Sequence, residues 1–175
     1  RIQAQAATGT DEALAISTRL LCQIAQNEDG TKAFASADAE NFTFNMSIDS
    51  GSNYNVTKTT TFWQSYHRED GHTDAQVSYS TGRDVAQSTD FCIISRELGN
   101  DNDQATSGTL HLFNPSSTTF LKHFISTFEN HQSQNYAMIH FTAGYGNTTS
   151  AVDAVQFKMS SGTIDSGTVK LYGVS

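Results

Sequence analysis

The densest set of potential ligands lies at His67-Arg68-Glu69-Asp70-Gly71-His72-Thr73-Asp74, with two histidines and three acids in eight residues. Zinc needs tetrahedral donors held at fixed spacing, and no second ligand pair at such spacing stands elsewhere, so the segment reads as a solvated loop. Asn100-Asp101-Asn102-Asp103-Gln104 groups oxygen donors of the kind calcium takes. Asp101 and Asp103 are therefore calcium candidates, but the glycine and glutamate of an EF-hand loop are missing, and Asn and Asp also dominate plain turns. No GxSxG elbow is present. Acids scattered over turns do not single out the carboxylate pair of a glycosidase. Gly144-Tyr145-Gly146-Asn147 lacks the third glycine of a phosphate loop. No catalytic residue, metal or cofactor is assigned, and the chain is expected not to be an enzyme. Trp63, Tyr54, Tyr66 and Tyr79 could stack on a sugar, with Trp63 and Tyr66 the ligand-binding candidates, although aromatic rings more often fill a core. The Asn-x-Ser/Thr triplets at Asn41, Asn45, Asn55 and Asn147 read as strand and turn residues.

Composition narrows the classes further. A chain of 175 residues suits one domain with a sizeable core. Only 16% of residues are charged, so the polarity comes from Ser, Thr, Asn, Gln and Gly. Thr-rich, aromatic-bearing chains suit exposed β structure, and eleven Phe with six Tyr argue against disorder. A net charge of −8 repels phosphate backbones and anionic membrane surfaces, so neither nucleic acid nor a membrane is an expected partner. No apolar run is long enough to insert into a bilayer. No signal-peptide pattern is visible, and a chain opening on Arg1 is expected to be trimmed, processed or incomplete. Cys22 and Cys92 read as small buried hydrophobes, with a single bridge as the alternative.

Two parts follow from the patterning: an N-terminal arm or element over residues 1–40 and a β-sandwich domain over 41–175. Thr10 can cap a helix running to Ala25, with acids at Asp11 and Glu12 and with Leu14, Leu21 and Ile24 on one face, though Leu14, Ile16 and Leu20 also fit a period of two. Asn27-Glu28-Asp29-Gly30 would end it as a turn. From Asn41 onward the pattern is strand, turn, strand. Phe42, Phe44, Met46 and Ile48 alternate with polar residues, as in a half-buried strand. Val56, Phe62 and Tyr66 share a face opposite Trp63. Phe91 to Ile94 reads as a buried strand. Thr109 to Phe113 runs into a turn at Asn114-Pro115-Ser116-Ser117 and returns over Thr118 to Phe128. On that return Phe120, Phe124 and Phe128 face one way and Leu121 and Ile125 the other, which predicts a central strand. Met138 to Phe141, Val152 to Met159 and Val169 to Val174 complete eight or nine strands, the last expected to be locked inside a sheet. Short strands separated by Gly/Ser/Asn/Asp turns, with no crossover helices, predict an antiparallel sandwich or barrel.

The C-terminal run from Gly144 to Val174 carries Ser160-Ser161-Gly162-Thr163-Ile164-Asp165-Ser166-Gly167-Thr168-Val169-Lys170-Leu171-Tyr172-Gly173. It resembles the ending of virion-associated proteins of marine tailed bacteriophages, including those of cyanobacteria. Leu112-Phe113-Asn114-Pro115-Ser116-Ser117 and Asp49-Ser50-Gly51-Ser52-Asn53-Tyr54 are similar to upstream motifs of that group. The resemblance implies an all-β, antiparallel, jelly-roll-like β-sandwich with a short N-terminal arm or helix. It brings no catalytic residues. The expected function is a non-enzymatic virion structural protein, a decoration or appendage subunit of the capsid or tail. Its partners would be other virion proteins and copies of itself, a trimer being favoured. The alternative is a tail-fibre-type receptor-recognition module binding host-surface glycan.

Overall fold

The computed structural model describes residues 2–5, 19–25, 34–71 and 73–173. Among them the chain is all-β, with eleven strands and no helix. In chain order these are β1 (Ile2–Gln5), β2 (Arg19–Ala25), β3 (Glu40–Ser47), β4 (Lys58–Arg68), β5 (Ala75–Tyr79), β6 (Cys92–Leu98), β7 (Thr106–Phe113), β8 (Lys122–Gln132), β9 (Tyr136–Gly146), β10 (Ala154–Met159) and β11 (Thr168–Gly173). Every pairing is antiparallel. One run of partners is β1-β10-β3-β6, and the other is β5-β4-β9-β8-β7-β2-β11. They meet at a single register pair, Leu98 with Gln132. The network folds over at that pair into a four-stranded and a seven-stranded layer, an antiparallel β-sandwich.

Phenylalanines fasten the layers together. Phe42 and Phe44 of β3 reach across to Phe128 and Phe124 of β8, with ring centroids 5.9 and 5.5 Å apart. Phe157 of β10 packs beside both β3 rings, and Phe34 meets Phe42 edge-on at 5.2 Å. Met46, Ile94, Leu110, Leu112 and the free thiol Cys92 fill the remaining space. Burial pushes the Cys92 thiol up to about 12, so it behaves as a small hydrophobe, as its sequence context predicts.

Several expectations are corrected by long-range pairing. Arg19–Ala25 is a strand between β7 and β11, not the end of a helix. The ambiguous periodicity there is decided by two partners that local sequence does not contain. The proposed helix start at Thr10, the turn at Asn27 to Gly30, and Val174 lie outside the described residues. β3 is buried on both faces, because Thr43, Asn45 and Ser47 are covered as fully as Phe42 and Phe44. Asn45 holds the covering loops, donating from Nδ2 to the carbonyls of Tyr54 (2.6 Å) and Thr89 (2.9 Å). Ile48, expected to continue the inward face, lies past the strand end and is exposed. β8 is central, as predicted, but it starts at Lys122 and presents Ile125 to solvent, and Phe120 is exposed on the preceding turn. Among the described residues β11 pairs only with β2, which makes it an outer strand of the sheet.

The turn at residues 114–117 has the expected form. Ser117 N donates to Asn114 O at 3.0 Å, and Asn114, just before Pro115, takes a φ of 47°. The rest of that connection is tied by the fully buried Lys122, whose Nζ donates to the carbonyls of Ser117 and Phe120, both at 2.7 Å. Burial lowers the affinity of Lys122 for its proton, and these carbonyls are what make the buried cation tolerable.

Candidate functional site

Two regions of the seven-stranded layer stand apart from ordinary packing. The first is its outward face. Side chains directly opposite one another on neighbouring strands form rows. One row runs Tyr79, Trp63, Phe141, Thr127 across β5, β4, β9 and β8, and the next runs Val77, Ser65, Ile139, Glu129. On the other side of the first row lie Thr61, Ala143 and Ile125. Trp63 stacks on Phe141 with ring centroids 4.0 Å apart and planes 8° apart. Trp63 is nevertheless 40% exposed, Tyr79 52%, Ile125 50% and Val77 70%. The result is a charge-poor apolar strip on a solvent-facing sheet, unlike the polar outward face that alternation usually gives.

The second region is a polar pocket of about 210 Å³, lined by both layers. β4 supplies Gln64 and Tyr66, β9 supplies Tyr136 and Met138, and β6 supplies Arg96 and Glu97. Asp74, Gln76, Gln132 and Gln134 complete the lining. Period-two alternation places Gln64 and Tyr66 on the same side of β4, opposite Trp63. Most of these groups already hold one another. Arg96 Nη1 donates to Gln64 Oε1 at 3.0 Å, Tyr66 Oη to Gln76 Oε1 at 2.9 Å, and Tyr136 Oη to Asp74 Oδ2 at 2.7 Å. Glu97 accepts from Arg83 Nη2 at 2.9 Å, from Gln132 Nε2 at 3.1 Å, and from Arg96 Nη2. The hydrogen bond to Asp74 raises the Tyr136 phenol above its ordinary range. The Tyr66 and Tyr136 rings meet edge to face at 5.6 Å.

A bulge brings Arg96 and Glu97 to this place. Glu40 pairs with Leu98 and Phe42 with Ser95, so β6 spends one residue more than β3 over that interval. A second shift falls between Phe42 and Thr43. Glu97 takes a φ of 51°, which a side chain rarely adopts. Bulges re-aim side chains, and backbone held in a costly conformation collects at functional sites. Asn41 Oδ1 accepts from the Glu97 amide at 3.2 Å, and Asn130 Nδ2 donates to Arg96 O at 2.7 Å, pinning the bulge on both sides.

The aromatic pair expected at Trp63 and Tyr66 does not converge. Trp63 belongs to the outward strip and Tyr66 to the pocket. Tyr79 lies on the strip and donates to Asp84, while Tyr54 lies in the loop whose carbonyl Asn45 holds. Asp101 and Asp103 are exposed, and the loop closes as a turn with Gln104 N donating to Asp101 O at 2.9 Å. No group of three His, Cys, Asp or Glu side chains converges for a metal among the described residues. In the charged loop Arg68 pairs with Asp70 at 3.1 Å, and His72 lies outside the described residues. Arg96 and Glu97 carry a signal the sequence reading passed over: two opposite charges inside the otherwise apolar run Cys92 to Leu98. No family model, curated protein or solved structure matches the chain.

Proposed function

We propose that this chain is a non-enzymatic structural subunit of a bacteriophage particle, a decoration or appendage that assembles with copies of itself through the outward strip of the seven-stranded layer. The observation that supports it best is the Trp63–Phe141 stack, exposed and flanked by Tyr79, Val77 and Ile125. An apolar strip of this kind is more often an assembly surface than a solvated one. The occupant is a second copy. Each chain carries a net charge of −8, so copies repel over most of their surface, and close approach is least opposed where charge is sparse. A closed ring is the economical arrangement, and a trimer is favoured. The C-terminal run that resembles virion-associated proteins supports the particle.

Sedimentation of the wild-type chain is expected to give three times the 19.0 kDa chain mass. The double variant Trp63→Asp/Ile125→Asp is expected to sediment as a monomer with an unchanged β-type circular dichroism spectrum, since both side chains are exposed. A wild-type monomer at all concentrations would remove the assembly role. Absence of the chain from purified particles by mass spectrometry would remove the particle.

A further inference from the structure

We propose that the pocket between the layers binds one neutral, polyhydroxylated sugar unit. Its volume of about 210 Å³ lies below the ~300–1,000 Å³ range of drug-sized sites, which limits the ligand to something of monosaccharide size. Its chemistry limits the class. The lining carries four primary amides, Gln64, Gln76, Gln132 and Gln134, and two phenols, Tyr66 and Tyr136. Gln132 is spent on Glu97, Ser133 and the Gln134 backbone amide, so the remaining donors and acceptors of Gln64, Gln76, Gln134 and the two phenols are what a sugar hydroxyl can meet.

The charged groups do not favour an ion. Arg83 and Arg96 both pair with Glu97, the buried Arg96 Nε is left without a partner among the described residues, and Arg68, over the Tyr136 ring, pairs with Asp70. Glu97 is thereby held between two cations, while Asp74 accepts from the neutral Tyr136 phenol and keeps its charge. Arg83 and Arg96 carry two positive charges and Glu97 and Asp74 two negative ones, so the cluster as a whole favours neither an anion nor a cation. Met138 is the lone apolar side chain of the lining, so an apolar ligand would strand the amides. The Tyr66 and Tyr136 rings, 84° apart in plane, add apolar surface beside the amides for the C–H groups of a pyranose.

The site is also built in advance. The bonds Arg96–Gln64, Gln132–Glu97 and Tyr66–Gln76 fix the rotamers of the lining before a ligand arrives. The Glu97 φ of 51° is a backbone conformation that a side chain rarely adopts. It is accounted for if the bulge serves to place Arg96 and Glu97 at the pocket.

Saturation-transfer NMR tests this with D-glucose, D-galactose, D-mannose and N-acetyl-D-glucosamine at about 10 mM, enough to occupy a site with a Kd of about 1 mM. D-glucuronate serves as the anionic arm. Maltose and lactose separate a free sugar from the end of a saccharide chain. At least one neutral sugar is expected to saturate. The double variant Gln76→Ala/Gln134→Ala is expected to raise that Kd about tenfold through the lost hydrogen bonds. Both side chains are exposed, so its circular dichroism spectrum and urea midpoint are expected to match wild type. The proposal is overturned if none of the neutral sugars saturates, if glucuronate binds more tightly than all of them, or if the double variant binds like wild type.

Discussion

Replacing His140 with phenylalanine is expected to stabilise the protein at pH 7 and to remove much of its loss of stability in acid. His140 of β9 is fully buried. Its ring lies 5.5 Å from that of Phe62, and its register partners are Gln64 and Phe128. Neither ring nitrogen has a hydrogen-bond partner among the described residues. Burial, with a smaller contribution from the Arg96 charge, lowers its pKa from 6.5 to about 3. The unfolded chain therefore takes up a proton below pH 6.5 that the folded chain refuses until about pH 3. Protons bound preferentially to the unfolded state make stability fall as pH falls, and this interval corresponds to roughly 4–5 kcal/mol. Phenylalanine does not titrate, so that component disappears. It also removes two unsatisfied polar atoms, a relief of about 1–3 kcal/mol already present at neutral pH. Urea midpoints of wild type and His140→Phe at pH 7 and pH 4 decide the matter. Carboxylates held low in the fold, such as Asp49 and Asp84, contribute equally to both proteins and cancel in the difference. Equal acid losses in the two would show that His140 is not kept neutral by the fold.

His140 also marks how far the sequence could be read. Its inward position follows from parity with Met138, because alternation along β9 is local information. The same parity separates Trp63 from Tyr66, and it rules out a shared platform once the two are placed on one strand. The Phe42, Phe44, Met46 face and the turn at Pro115 were legible for the same reason, since period and turn chemistry need no partner. What was not legible depends on pairing. Leu14, Leu21 and Ile24 fit a helical stripe and Leu14, Ile16 and Leu20 a period of two, and for Arg19–Ala25 only β7 and β11 on either side decide between them. The bulge at Arg96 and Glu97 is a mismatch of count between β3 and β6, a property that neither strand possesses alone. Burial of Asn45 arises from two loops, one nine and one forty-four residues further on, that close over it. The pocket is therefore a product of register: its residues come from β4, β5, β6, β8 and β9 and from Asp74 and Gln134, and no motif connects them.

Phe42→Ala is expected to cost about 3–5 kcal/mol, the range for emptying a large aromatic side chain from a core that cannot fully collapse. Phe42 has no exposed surface and is the junction of the aromatic packing. It touches Phe34 edge-on at 5.2 Å, stacks near Phe157 at 5.8 Å, and reaches Phe128 in the opposite layer at 5.9 Å. Rigid backbone on both sides limits relaxation, because β3 is paired to β10 along one edge and to β6 along the other. Ile125→Ala removes an aliphatic side chain that is 50% exposed, and it is expected to change stability by no more than about 0.5 kcal/mol in the monomeric state. Urea unfolding of both variants at one pH separates the two environments. A Phe42→Ala cost below about 1 kcal/mol would mean that the layers are not fastened through this ring. Phe42 also pairs with Ser95 between the two register shifts of β6. Its loss is thus expected to loosen the bulge and to weaken sugar binding at the pocket, even under conditions where the variant remains folded. Loss of stability with undiminished binding would show that the bulge is held by Asn41 and Asn130 alone.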